Sequence, residues 1–388
     1  MKVLLVHNYY RSSSPSGEDA VYEHEAELLR NRGVEVVRYI RRNDEITNPL
    51  QAIFDAVWSK KTYREVLALI KKEKPDVAHF HNIWYLISPS AYHACKDSGV
   101  PVVQTLHNFR MFCTNGLLLR NGKTCEDCIG KTPWRGVAYG CYRSSRLYSL
   151  PVAFTEMVHR RRGTWVNAVD AYIALTEFGK KKFIECGLPE GKINLKPNFA
   201  SDVPSQVWPV KNYAGFVGRI SHEKGVETLV NAVRHLGAID FKFKIVGDGP
   251  LRNEINGISA DRLEIMGKKD HDECMKILSG AAFAIMPAIC YENFPLSIVE
   301  AFAYGKPVIA SNLGAMASII KDRETGLLFQ PGNAEELASK MKWMIENPDE
   351  CVRMGKNARM EFEAKFTAGK NYEILMEIYQ ETIDRCRR

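Results

Sequence analysis

Short apolar runs alternate along the chain with longer stretches whose apolar positions recur every three or four residues. Residues 2–7 are the first such run and predict a buried strand. Residues 19–32 follow, with Ala20, Val21, Ala26, Leu28 and Leu29 on one helical stripe and Gly33 closing it. The same criteria predict strands at 34–40, 76–80, 100–106 and 171–175, and a helix over 63–72. Asn, Pro, Ser and Asp then crowd 197–212, a linker signal. The alternation restarts with strands at 213–217, 241–246, 263–266, 282–286 and 307–310, and with helices after Gly225 and over 297–304. Strand–helix alternation of this kind predicts an α/β fold with parallel sheets covered by helices on both faces. The reading is two Rossmann-like domains, 1–200 and 201–365, of about 180 residues each. The tail 366–388 reads as a long amphipathic helix that crosses back to the first domain. Ligands of open α/β sheets sit beyond the carboxyl ends of the strands, so the two sheets are expected to face a central cleft.

Composition narrows the class. Of 388 residues, 45% are hydrophobic and 26% charged, which excludes disordered and fibrous chains. No apolar run approaches the ~18 residues needed to span a bilayer. The opening MKVLLVHNYY is too short and too soon polar for a secretory signal. A soluble or peripherally attached cytoplasmic protein is expected. The net charge of +7 is uneven: residues 1–200 hold 29 Lys and Arg against 20 acids, and residues 201–388 hold 24 against 26. A basic first half anticipates an anionic partner, whether lipid phosphate, membrane surface, acidic glycan or nucleic acid.

The densest chemistry lies between Glu292 and Glu300. Glu292 is expected in a loop after a strand, and Glu300 one to two turns into the next helix. Asn293, Phe294, Pro295 and Leu296 lead into that helix, whose first N–H groups and positive dipole end favour an anion. One loop would then offer a carboxylate for hydroxyls, amides for a phosphate and a second carboxylate for another hydroxyl pair, which suits a nucleotide sugar. The bland alternative leaves Glu300 a solvated helix residue. Gly218 and Arg219 follow another predicted strand, with Lys224 five residues further on. Two such cations can bracket a diphosphate, Arg as a fork and Lys as a point charge, although either could be ordinary surface charge. Gly17 would permit close backbone approach to a ligand. His107 ends a strand, where it could touch a hydroxyl or phosphate or be a satisfied structural histidine.

The segment 292–300 resembles the glutamate–seven–glutamate motif of the retaining glycosyltransferases of family 4, which have the GT-B fold. Gly218-Arg-Ile-Ser-His-Glu-Lys224-Gly resembles that family's diphosphate-gripping segment. Ile245-Val-Gly-Asp-Gly-Pro resembles its strand-to-helix turn, and 74–81 and 174–180 resemble its first-domain strand ends. The resemblance covers nearly the whole chain. It implies a retaining transfer from a nucleotide-diphosphate sugar, UDP-sugar ahead of GDP-sugar, to a hydroxyl of a glycan or lipid-linked saccharide in cell-surface polysaccharide synthesis. It implies a histidine at position 107 on the donor sugar and no divalent metal at the donor. The family usually has a glycine pair where this chain has Ser16-Gly17. Gly267, in Met266-Gly-Lys, is expected to line the base. Asp270-His-Asp272 imitates the metal–nucleotide signature of another glycosyltransferase fold, but its place after a strand reads as a helix N-cap.

Three features stand outside that frame. Cys113, Cys125, Cys128 and Cys141 include a C-x2-C pair flanked at near-equal distances, a spacing that suits tetrahedral structural Zn²⁺. They fall in an insertion over about 108–148, which general members of the family lack. Unligated thiols and disulfides stay open as alternatives. The same region carries Trp134, Arg135, Tyr139, Tyr142, Arg143, Arg146 and Tyr148, a mixture suited to membrane interfaces or to a plain solvated face. His79 and His81 form a His-x-His pair with no evident carboxylate partner, so they are read as structural or acceptor-side. A nucleotide-sugar epimerase or hydrolase is the competing enzyme reading. A zinc-containing nucleic-acid-binding protein is the competing binding module, and it leaves the glutamate pair unexplained.

Overall fold

The computed structural model describes residues 1–13, 16–203, 211–256 and 262–388. Among them the strands are β1 (Lys2–Tyr9), β2 (Glu35–Arg42), β3 (Val77–Phe80), β4 (Val102–Thr105), β5 (Leu119–Arg120), β6 (Lys123–Thr124), β7 (Ala171–Ala174), β8 (Ile193–Leu195), β9 (Tyr213–Val217), β10 (Lys242–Val246), β11 (Leu263–Gly267), β12 (Ala284–Met286), β13 (Val308–Ser311) and β14 (Gly326–Phe329). The chain divides into two compact units.

The first unit comprises Met1–Leu118, Glu126–Lys196 and Tyr372–Arg388. Its sheet is parallel throughout, in the order β2-β1-β3-β4-β7-β8. Central strands covered on both faces read as continuous apolar runs rather than alternating ones, and Val3 to Val6 of β1 are fully buried. The helix Gly17–Asn31 starts on a capping box between Ser16 and Asp19 and turns Tyr22, Glu25, Ala26 and Leu29 inward. The strand order reverses between β1 and β3, so their carboxyl ends open a crevice there.

The second unit comprises Leu119–Cys125 and Pro197–Asn371. Its main sheet is also parallel, in the order β11-β10-β9-β12-β13-β14. Phe216, Phe243, Ile285, Ile309 and Met341 belong to one buried cluster around it. Here the order reverses between β9 and β12. Gly225 sits in the left-handed region at φ +68°, and a Cβ there would stand 1.8 Å from the Pro287 carbonyl oxygen. Only glycine lets the loop after β9 lie this close to the end of β12.

The expected strands appear within a few residues of their predicted bounds. Strands β8 and β14 were not anticipated, because three or four residues at a sheet edge carry too little pattern. The domain bounds shift as well. Residues 119–125 and 197–200 cluster with the second unit, and Tyr372–Arg388 with the first. The linker expected at 197–212 falls partly on 204–210, outside the described residues. No helix among the described residues is long and apolar enough to cross a membrane.

Candidate functional site

In the second unit, β9 delivers Gly218 and Arg219 at its carboxyl end, and a short 3-10 turn over His222–Lys224 follows. Arg219 is exposed. Lys224 Nζ donates to Glu292 Oε1 at 2.6 Å. Glu292 lies in the loop after β12, and the Ile289 N–H donates to the Glu223 carbonyl at 3.0 Å, which ties the two loops. Burial works to lower the Lys224 pKa, but the Glu292 carboxylate beside it carries it above its ordinary value. Cys290 Sγ stands 3.8 Å from the same Glu292 oxygen. Burial, then Glu292, pushes that thiol up.

Asn293, Phe294 and Pro295 are buried, with the Phe294 ring against Phe366 at 5.9 Å between centroids. Pro295 is the N-cap and Leu296 the first residue of the helix Leu296–Ala303. Glu300 lies on that helix, 3.9 Å from His271 Nδ1. Burial raises the Glu300 pKa, and His271 opposes the rise. Gly267 ends β11 at φ +70°. Asp270 caps the helix His271–Gly280, accepting from the Glu273 N–H at 2.8 Å, as expected of an N-cap.

In the first unit, His107 stands just past β4 and its Nε2 lies 2.9 Å from His81 Nδ1. His81 Nε2 lies 3.0 Å from Glu25 Oε1, and His79 Nδ1 lies 3.1 Å from the same oxygen. Lys196 Nζ donates to Glu25 Oε2 at 2.7 Å. The histidine pair therefore does have a carboxylate partner, contrary to the sequence expectation. It comes from a helix more than fifty residues earlier, a distance over which spacing carries no information. One signal was available: Glu25 sits on the apolar stripe of its helix, between Val21–Tyr22 and Leu28–Leu29. Glu25, His79 and His81 are the one group of three or more metal-ligating side chains within 4.8 Å among the described residues. Lys196 already supplies the cation there. Burial alone would push the Glu25 pKa up; Lys196, His79 and His81 instead hold it well below the carboxylate range. Burial takes His81 down to about 3 and His107 well below the imidazole range.

Gly17 opens the helix beside this cluster, and no atom lies within 4 Å of where its Cβ would be. The adjacent Glu18 was missed by sequence reasoning. Its Oε1 accepts from Asn108 Nδ2 at 2.6 Å, while its Oε2 is buried without a partner among the described residues. Burial raises its pKa to about 7, against the pull of Asn108 and Arg110.

The cysteines divide. Cys113, Cys128 and Cys141 belong to the first unit and Cys125 to the second. Burial raises the Cys113 thiol to about 11, with Glu156 adding to it. Burial, Cys113 and Glu156 raise Cys128 to about 12. Glu156 is 3% exposed, and neither carboxylate oxygen has a partner among the described residues.

Glu18 gives the first unit a pH signature. Between pH 4.5 and about 7 the folded chain keeps the Glu18 proton and the unfolded chain loses it. Its contribution to stability therefore falls as pH rises through this window. Glu18→Gln removes that fall. The melting temperature of the variant relative to the parent should rise from about pH 5 to about pH 7.5, read by circular dichroism. A constant difference would show that Glu18 is not so perturbed.

Residues 16–201 match the profile described as Glycosyltransferase Family 4, and residues 203–361 match Glycosyl transferases group 1. An uncharacterized glycosyltransferase of Methanocaldococcus jannaschii is 32% identical over 177 residues, 45% of this chain and about half, 49%, of that protein. A 2-deoxystreptamine N-acetyl-D-glucosaminyltransferase of Niallia circulans is 24% identical over 365 residues, 90% of this chain and 88% of that protein. The crystal structure of Anabaena HepE in complex with UDP shares the fold, with a TM-score of 0.66 at 17% identity over 98% of this chain and 100% of that one. The two profiles account for both halves of the chain, each on its own parallel sheet, and the chain belongs to the family 4 glycosyltransferases, enzymes of the GT-B fold.

Proposed function

We propose that the chain transfers a sugar, with retention of anomeric configuration, from a UDP-sugar to a hydroxyl of a glycan or lipid-linked saccharide in cell-surface polysaccharide synthesis. The observation that carries this reading is the Lys224–Glu292 pair at the switch point of the second sheet. Without donor, each charge satisfies the other. A bound diphosphate would take Lys224, and Glu292 would turn to sugar hydroxyls. Arg219, exposed at the neighbouring strand end, would fork onto the diphosphate. Leu296 and the first turn of its helix would offer N–H groups to it, Glu300 would take hydroxyls, and Gly267 would border the base. His107 would meet a hydroxyl of the donor sugar, with Gly17 leaving room beside it. HepE, solved with UDP, with UDP and glucose, and with UDP-glucose, supports UDP as the carrier.

In the proposed step, the acceptor oxygen bonds to the anomeric carbon on the face from which the leaving oxygen departs. The carbon–phosphate-oxygen bond breaks, and the acceptor proton passes to the departing diphosphate. Arg219 and Lys224 stabilise the charge that develops there, so no catalytic metal is invoked. A thermal screen of UDP-, GDP-, ADP- and dTDP-sugars identifies the donor, since ligand at a hundred times its Kd stabilises by ~2.7 kcal/mol. With that donor, Lys224→Ala and Glu292→Gln should each stay folded and lose about a hundredfold or more in acceptor-dependent release of the nucleoside diphosphate. Near-parental turnover in either variant would refute the assignment.

We also propose that the first unit rests on an anionic membrane surface. On the helix Arg146–Arg161, Leu147, Leu150 and Phe154 are exposed at helical spacing, with Tyr148 and Tyr139 exposed nearby. The Arg143 guanidinium lies over the rings of Tyr142 and Tyr148. Apolar anchors framed by Arg suit the headgroup region. The parent should float with vesicles containing phosphatidylglycerol, and the double variant Leu147→Ser, Phe154→Ser should not. Equal flotation of both, or none by the parent, would remove this proposal.

Finally, we propose one structural zinc at Cys113, Cys125, Cys128 and Cys141. Among the described residues no three of these sulfurs lie within 4.8 Å of one another, so zinc would have to gather them, and the Glu156 carboxylate, buried without a hydrogen-bond partner among the described residues and raising the Cys113 and Cys128 thiols, favours a cation nearby. Zinc would replace the thiol protons and hold the insertion in shape. Chain purified without chelator should carry close to one zinc, and Cys125→Ser should lower it. Retention by Cys125→Ser with loss by Glu156→Gln would replace Cys125 with Glu156; zinc below about a tenth per chain would exclude the site.

A further inference from the structure

Lys306 is a buried cation that the fold leaves without a counter-charge. It stands in the turn through which the helix Leu296–Ala303 passes into β13, and its backbone N–H donates to the Ala301 carbonyl at 2.9 Å. The residue is 2% exposed, and among the described residues no hydrogen bond or ion pair engages its Nζ. An ammonium taken out of water is costly unless it is paired. Lys306 lines a cavity of about 680 Å³, within the size range of small-molecule sites. Phe241, Pro307, Met344 and Ile345 form apolar wall around it. On the helix Pro348–Lys365, Val352 and Met360 line the same cavity from positions two turns apart, and both are exposed although apolar. Two polar neighbours are committed elsewhere. Cys351 Sγ donates to the Ala282 carbonyl at 3.3 Å. Arg359 donates from Nε to Glu363 Oε1 at 2.7 Å, from Nη1 to the Ala303 carbonyl and from Nη2 to the Val203 carbonyl at 3.0 Å. Lys211 and Lys356 also line the cavity and are exposed, so its cations outnumber its one carboxylate, Glu363.

We propose that this cavity binds a single-chain fatty carboxylate, whose carboxylate group pairs with Lys306 and whose chain lies along the apolar wall beside Val352 and Met360. One unpaired ammonium among apolar side chains matches a ligand with one charge and an apolar body. A phosphate would call for several donors or an arginine fork, and the Arg359 fork is already taken. Burial lowers the Lys306 pKa to about 8, with Cys351 opposing, so the ammonium form still prevails at pH 7. Lys306 precedes β13, whereas Glu292 follows β12, and the two strands are parallel neighbours. The cavity therefore lies at the end of the sheet opposite the Lys224–Glu292 pair. It is a second site, and it does not rest on the sugar-transfer reading.

The experiment is a calorimetric titration of the whole chain at pH 7 with decanoate, decyl phosphate and decanol, each kept below the concentration at which it aggregates. Decanoate should bind the parent at one site, and decanol about tenfold or more weaker, because it lacks the charge-assisted bond to Lys306. Lys306→Met keeps the length of the side chain and removes an unpaired buried charge, so circular dichroism should report the parental fold. Its affinity for decanoate should fall about tenfold or more. If that variant does not fold, Val352→Glu decides, since it changes only an exposed position on the cavity's edge. A carboxylate placed there should weaken decanoate about tenfold, and Val352→Lys should not. No binding of decanoate by the parent overturns the proposal. So does parental affinity in Lys306→Met or Val352→Glu. Decanol binding as tightly as decanoate would show apolar uptake without charge recognition and overturns it as well, and tighter binding of decyl phosphate overturns the assignment to a carboxylate.

Discussion

Parallel strands can be joined only by crossovers, and this puts every loop that follows a strand at the same end of its sheet. Both units obey that constraint, and their candidate chemistry follows from it. Gly218, Arg219 and Lys224 come after β9, Glu292 after β12, Gly267 at the end of β11, His81 after β3 and His107 after β4. In each sheet the order reverses once, between β1 and β3 or between β9 and β12, and the loops part there. The glycine at 225 lets the loops after β9 and β12 close to the distance at which Lys224 reaches Glu292.

Charge is handled differently in the two units. In the first, Glu25 is 1% exposed and is tolerated because Lys196 and two histidines meet it. Removing one partner from such a buried array costs about 3–5 kcal/mol, because the remaining charge is left without compensation. That cost binds elements far apart in the chain: the helix Gly17–Asn31, β3, the residue after β8, and Tyr379 of the helix Ala368–Arg387, whose hydroxyl lies 2.7 Å from His79 Nδ1. In the second unit, the Lys224–Glu292 pair is about a quarter exposed on the lysine side, so ligand can reach and exchange its partners. A rigid buried array suits positioning; a half-exposed pair suits binding.

The cysteine-bearing segment 108–148 follows a third pattern. It has little regular structure apart from the hairpin of β5 and β6 and the short helix Trp134–Ala138. Burial pushes up the Cys113 and Cys128 thiols and the Glu156 carboxyl, which favours their protonated forms. Neutralisation by protonation is the default for an acid taken out of water without a partner, and it is the state that a metal ion would displace.

The sequence by itself determined the fold class, since alternating apolar runs and amphipathic stretches leave few architectures other than two parallel α/β sheets. It also placed Glu292, Lys224, Arg219 and His107 at strand ends, because local pattern locates a strand's terminus and with it the residue beyond. It could not decide what those side chains touch. The partners of His81 and His107 depend on Glu25 and on Lys196, the latter 171 residues further along. The raised carboxyl of Glu18 comes from burial that outweighs the Asn108 hydrogen bond, and the fold supplies both. The separation of Cys125 from Cys113, Cys128 and Cys141 into different units is likewise invisible in even spacing. Hydrophobic periodicity is written into neighbouring residues, whereas a hydrogen bond's direction and a carboxylate's charge are set by groups that only the folded chain brings within 3 Å of each other.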